Sequence, residues 1–158
     1  MIIQKIQILK KHDGTSDDRR KLVQVFIGSI TKEGKKIKAM RIFNTFLFSI
    51  KLRFDTSPIE FLENMIEVVR PKVFLISKKI SGSTVRIPTP ISLHQSYSIA
   101  VRWFLNSVSK RVGSSFSQLM FSELIDIYSN PSSVTIRKRD EYHKLAKINR
   151  PFLRYNKF

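Results

Sequence analysis

Apolar residues recur at three- and four-residue steps along most of this chain, and that helical rhythm breaks once, between Lys72 and Ile91. A chain patterned this way can fold as a set of helices with a single extended interruption, and little else. In a first helix over 19–32, Leu22, Phe26 and Ile30 form one stripe with Val23 and Ile27 beside them. Asp17 and Asp18 stand where a cap or a dipole-matching acid belongs, and Gly34 ends the helix. A second helix, over 35–54, carries Ile37, Met40, Phe43, Leu47, Ile50 and Phe54. Its first turns hold Lys35, Lys36, Lys38 and Arg41. Cations there oppose the helix dipole, which folding alone does not favour and an external anion would.

The third helix opens at Ser57-Pro58, with Glu60 placed to complete a capping box. Ile59, Leu62, Ile66 and Val69 line one face, and Arg70-Pro71 stops it. Over 72–91 the segments KVFLISKKI and STVRIPTPI flank Ser81-Gly82. Val85, Ile87, Thr89 and Ile91 alternate onto one face, which predicts a β-hairpin. Pro88 and Pro90 are tolerable because both strands of a two-stranded ribbon are edges. A lone ribbon is marginal in water, so this one is expected to firm up against a partner.

A fourth helix over 92–111 turns Leu93, Tyr97, Ala100, Val101, Phe104 and Val108 inward. A fifth, over 115–129, shows Phe116, Leu119, Met120, Leu124 and Ile127, and Asn130-Pro131 makes a turn. The sixth, over 135–150, precedes a basic, aromatic tail over 149–158. There is no internal repeat, and 158 residues fit one domain with 1–18 as an N-terminal extension.

Composition narrows the chemistry. The chain has no cysteine, which excludes disulfides, thiol catalysis and zinc fingers. No apolar run reaches the roughly 18 residues that a spanning helix needs. The segment MIIQKIQILKKHDGTSDD does not read as a secretory signal, and its acids suit an organellar presequence poorly. The expectation is a mature protein that starts near this point and, if organellar, is made inside the organelle. His12, His94 and His143 are widely separated and lack metal-ligand spacing. Gly28, Gly34, Gly82 and Gly113 build no phosphate loop, and no serine sits in a nucleophile elbow. Glu60, Glu63 and Glu67 read as the solvated face of one helix. The expectation is no catalytic residue, no metal and no cofactor.

Lys and Arg number 29 against 12 Asp and Glu, a net charge of +17. A surplus of this size repels itself on folding and finds its counterpart in a polyanion, first nucleic acid and second an anionic membrane. The basic residues fall in separate groups at 19–21, 35–41, 78–86 and 137–150. The last has only Tyr142, Leu145 and Ala146 as an inner stripe, so it gains little from packing and phosphates would complete it. Scattered groups fit a membrane surface poorly. Phe26, Phe43, Trp103 and Phe104 read as core. Phe152, Tyr155 and Phe158, which alternate with Arg150, Arg154 and Lys157, suit either stacking on nucleotides or docking on the domain. Composition does not choose between RNA and DNA.

Four blocks, in order, resemble the small-subunit ribosomal protein seven family of the bacterial and organellar type. They are ITKEGKKIKAMRIF, VVRPKVFLISKKISGSTVRIP, SIAVRWFLNSVSKR and VTIRKRDEYHKLAKINRPFLRY, covering about 19–156. The resemblance implies a mainly α fold, a bundle of about six helices with one β-ribbon protruding between the third and fourth. It implies a non-enzymatic protein that binds the 3′ major (head) domain of small-subunit rRNA and nucleates head assembly. Small-subunit ribosomal proteins nine and eleven are its implied neighbours, with no membrane partner. By matching motif, Lys35, Lys36, Lys78, Lys79, Arg102, Lys110, Arg111, Arg137, Lys138, Arg139, His143 and Arg150 are implied rRNA contacts. Arg41 and Lys147, from two of the same basic groups, are expected with them. Ser81, Gly82, Ser83 and Arg86 are implied to lie in the ribbon near exit-site tRNA and the mRNA exit path.

The chain departs from the family pattern in SLHQS after the ribbon, where arginines are usual, in its N-terminal arm, and in its Tyr155-Asn156-Lys157 ending. Such drift, with abundant Ile, Lys, Phe and Ser, points to an AT-rich organellar genome. A mitochondrion is expected ahead of a plastid or a bacterial cytoplasm. The rival reading is a free-standing helical regulator that binds DNA or RNA.

Overall fold

The computed structural model describes residues 16–54, 56–80, 82–113 and 115–155. Among them are helices α1 (Ser16–Ile30), α2 (Lys36–Arg53), α3 (Pro58–Val69), α4 (Leu93–Val108), α5 (Phe116–Ser129) and α6 (Val134–Ile148). Strands β1 (Val73–Ile80) and β2 (Ser83–Pro90) stand between α3 and α4, and a 3-10 helix, Arg150–Tyr155, follows α6. The mainly helical architecture with one hairpin is therefore the one the apolar periodicity predicts. His12, Asp13, Ser81, Phe158 and the expected start of the mature protein lie outside the described residues.

The helices end where local chemistry ends them. Gly34 adopts a left-handed backbone, φ 71°, and turns the chain out of α1 into α2. Its neighbour Glu33 is left-handed too, φ 54°, at a cost of about 1 kcal/mol for a residue with a Cβ. Ser92 and Ser133 cap α4 and α6 by accepting from the N–H groups of Gln95 and Ile136. The capping box expected at Ser57 and Glu60 does not form. The Ser57 side chain makes no cap bond, and Pro58 at the first helical position begins α3 unaided.

Helix α4 is the central element, in contact with α1, α3, α5 and α6. Its buried residues Ala100, Val101, Phe104 and Val108 meet Leu22 and Phe26 of α1, and Leu62, Ile66 and Val69 of α3, in one core. Met120, Leu124 and Ile127 of α5 complete it. Phe26, Phe43, Phe46 and Phe104 form a cluster of rings, with centroids 5.5 Å apart for Phe26–Phe43 and 5.9 Å for Phe26–Phe104. Each fully buried side chain of this size contributes about 1.5–3 kcal/mol.

On α2 and α4, three expected inward residues point out. Ile37 and Met40 are exposed because the buried face of α2 runs through Ala39, Phe43, Phe46 and Ile50, and a residue at 37 lies on the opposite side. Leu93, at the first position of α4 beside the end of the ribbon, is also exposed.

The strands pair antiparallel, from Val73 opposite Pro90 to Ile80 opposite Ser83, leaving a two-residue turn. Gly82, φ 86°, supplies the left-handed residue such a turn requires. The ribbon's root is not bare. Leu75, Ile87, Pro88 and Thr89 are buried, where α6 and the 3-10 helix pack against the strands. The firming partner expected for the ribbon is, at its root, the protein's own C-terminal segment.

Candidate nucleic-acid interface

Among the described residues, most acids are paired within the protein, Glu60 and Glu141 being exposed. Glu63 pairs with Arg19 at 3.0 Å, and Glu67 pairs with Arg70 and accepts from the Tyr97 hydroxyl at 3.1 Å. Burial, reinforced by the Glu67 carboxylate, pushes the Tyr97 hydroxyl well above its usual range. Glu63 and Glu67 are thus structural partners rather than the solvated face expected of them, while Glu60 is exposed. Glu123 is 1% exposed and accepts from Arg111 and from the Thr135 hydroxyl. Arg111 also reaches Asp126. Burial works against the Arg111 charge, but hydrogen bonds to Asp126 and Glu123 outweigh it and hold the guanidinium protonated. Arg111 therefore braces α5 and the start of α6, and its guanidinium is committed to that bracing.

What remains on the surface is overwhelmingly basic. Lys36, Arg41, Lys79, Arg86, Arg102, Lys110, Arg137, Lys147 and Arg150 are exposed and make no ion pair among the described residues. Lys138 is half-buried, and Lys35 is exposed with Glu33 2.6 Å from its ammonium. Exposed pairs of this kind contribute little, so Lys35 is available to a stronger anion.

These cations gather in two zones. The first surrounds a cleft of about 670 Å³ between the α1–α2 connection, the start of α2, and α4. Lys32, Lys35, Lys38 and Arg102 line it with Ser29, Asn106 and Phe116. Residues distant in sequence, Lys35 and Arg102, thereby share one site. Lys32, Asn106 and Phe116 were not among the expected contacts, since nothing in their spacing announces the cleft.

The second zone is α6 with the ribbon and the 3-10 helix. The inner side of α6 is polar yet satisfied. Arg139 donates to the Val68 carbonyl at the end of α3, where a cation also suits the helix dipole. His143 Nε2 accepts the backbone N–H of Lys72 at 3.1 Å, and the Tyr142 hydroxyl accepts that of Leu75 at 2.9 Å. The His143 pKa is lowered by burial first and by the Arg139 charge next, with Asp140 opposing, so the ring is held in the neutral form its acceptor role needs. Tyr142 packs edge-on against Trp103, centroids 5.1 Å apart. Of the expected inner stripe, Ala146 is buried but Leu145 is 39% exposed; Thr135 and Ile136 are buried as well.

Lys78 donates to the Tyr155 carbonyl at 3.1 Å, tying the ribbon to the 3-10 helix. Phe152 and Tyr155 sit 6.4 Å apart in that helix, with Arg154 over the Tyr155 ring, and the helix itself packs against β2. At the tip, Ser83 donates to the Ile80 carbonyl at 3.1 Å. The register sets Lys79 and Arg86 on the same face of the ribbon, away from Lys78. Arg137, Lys138, Lys147, Arg150, Lys79 and Arg86 thus make up the outward part of this zone, while Arg139, His143 and Lys78 hold the fold.

Such a surface has the charge to neutralise phosphates. No group of acids and histidines among the described residues could hold a metal. No described helix is long and apolar enough to cross a membrane. Residues 2–150 match the family described as ribosomal protein S7p/S5e. The chain is 34% identical over 134 residues to small ribosomal subunit protein uS7c of Pleurastrum terricola, covering 85% of this chain and 86% of that one. It is 34% identical to uS7c of Cyanidium caldarium and 33% identical to uS7 of Thermomicrobium roseum, covering 85% of each chain in both cases. With a family match spanning almost its full length, this chain belongs to the ribosomal protein S7p/S5e family, whose members are structural proteins rather than enzymes.

Proposed function

We propose that the protein is a structural constituent of a small ribosomal subunit that binds the 3′ major domain of its rRNA and nucleates assembly of the head. The observation that carries this reading is the exposed cation set on α2, α4, α6 and the ribbon tip, left without carboxylate partners by a fold that keeps its acids for itself. Binding is driven by counterion release, and the RNA supplies the charge the protein lacks. The ribbon, with Gly82, Ser83 and Arg86 near its tip, reaches toward exit-site tRNA and the mRNA exit path. Ribosomal proteins nine and eleven are its neighbours. The Ile-, Lys- and Phe-rich composition favours a mitochondrial ribosome. The similarity to the uS7c proteins supports a plastid ribosome as the second reading.

Titration of the full chain with a head-domain rRNA fragment tests this role. Affinity should fall steeply with salt, with a log-log slope of several units if about six phosphates are engaged. A flat salt response contradicts it. Sedimentation of the tagged protein from fractionated organelles, probed for mitochondrial and plastid small-subunit rRNA, separates the two compartments.

A further inference from the structure

We infer that the cleft between the α1–α2 connection and α4 receives one unstacked nucleotide of single-stranded RNA, base inward and phosphate at the basic rim; this rests on the RNA-binding role proposed above. The cleft's volume of about 670 Å³ lies in the range of roughly 300–1,000 Å³ typical of small-ligand sites and is far too small for a duplex. Its lining divides by chemistry. Lys32, Lys35, Lys38 and Arg102 supply charge, and the single acid, Glu33, is already paired to Lys35.

Ile30, Ala39, Ile42, Leu105 and the Phe116 ring supply an apolar wall, and Asn106 adds an amide that both donates and accepts. A nucleotide joins the properties this lining answers: an anion, a flat ring for an aromatic and aliphatic wall, and an edge of donors and acceptors. A bare phosphate would leave the wall unused. An acidic peptide would match the cations but has no ring to place against Phe116. Asn106 and Arg102 lie one turn apart on α4, so base edge and phosphate are read by the same helix.

The test compares a short labelled oligoadenylate with the same ribose-phosphate chain lacking bases, each titrated by fluorescence anisotropy against the full-length protein at low ionic strength. The base-bearing chain should bind about tenfold tighter, the scale of one stacked base. Asn106→Phe fills the cleft without altering charge; it should abolish that tenfold difference. Ser29→Phe, which fills the cleft from α1, serves as an independent second variant, and circular dichroism checks that both fold. Equal affinity for the two chains overturns the inference, as does a difference that survives both variants, or displacement of the RNA by an oligoglutamate peptide. The head-domain rRNA fragment is titrated in parallel. If it binds while base dependence is absent, only the cleft assignment fails; if it does not bind at all, the rRNA role fails with it.

Discussion

The Tyr142 hydroxyl on α6 accepts the backbone N–H of Leu75 on β1 at 2.9 Å, one residue before His143 does the same for Lys72 at the foot of the strand. Adjacent side chains of a helix thereby serve two amides three residues apart, one just before the strand and one within it. A β-edge normally leaves those groups to water or to another chain. Tyr142→Phe removes the acceptor but keeps the ring on Trp103. The expected cost is about 1–2 kcal/mol, with faster hydrogen exchange at the Leu75 amide and unchanged exchange in the core of α4. Uniformly faster exchange would show that the contact holds up the whole domain instead.

His143 should make stability depend on pH. Its pKa in the folded protein lies below the ordinary value near 6.5, so the folded state binds fewer protons than the unfolded chain around that pH. The stabilisation is present above the unfolded value and is lost as pH falls from about 6.5 toward the folded value. Urea midpoints measured from pH 7.5 downward should decline less for His143→Gln, which keeps an acceptor that does not titrate, than for the native protein. Parallel declines would remove His143 as the cause.

Arg111 belongs to the fold even though its motif marks it as an RNA contact. Arg111→Ala strands the buried Glu123 carboxylate and should destabilise by about 3 kcal/mol. Adding Glu123→Gln should recover part of that loss, because the uncompensated charge is gone. In the folded fraction, affinity for the head-domain rRNA fragment should be nearly unaltered, whereas Lys110→Ala should lower it without changing the urea midpoint.

On α6 the neighbouring cations should separate in the same way. Arg137→Ala and Lys138→Ala should each reduce the salt slope of RNA binding by about one if each meets a phosphate, at little cost in stability. Arg139→Ala should instead cost about 1 kcal/mol by freeing the Val68 carbonyl, seen as a lowered thermal midpoint. A stability loss for Arg137→Ala equal to that for Arg139→Ala would erase the distinction between outward and inward residues.

Periodicity made the helices legible because burial imposes it: Leu22 and Phe26, or Leu62, Ile66 and Val69, could occupy few other arrangements. It misled on α2 at Ile37 and Met40, which are apolar but exposed, while Phe43 and Ile50 of the same expected stripe are buried, since hydrophobicity alone does not say where the buried face runs. The hairpin was legible from β-branched alternation and Ser81-Gly82. The union of Lys35 with Arg102 around one cleft was not, because it depends on how α2 lies against α4. Charge counts also could not tell Arg137 from Arg139 or Lys110 from Arg111. Those residues share a composition and differ only in whether Val68 or Glu123 stands within reach.

From the Lys72 anchor to the turn, the ribbon's eight-residue strands extend about 26 Å at about 3.3 Å per residue. An arm held at its foot by Tyr142 and His143, and again at Lys78 by the Tyr155 carbonyl, is a stiff lever with a short free tip. A push at the Lys79–Arg86 tip is resisted at the shoulder by Tyr142 and His143, so load applied there would be carried into α6 and not dissipated by bending. The shoulder's geometry therefore sets how stiffly a distant contact is felt in the body of the protein.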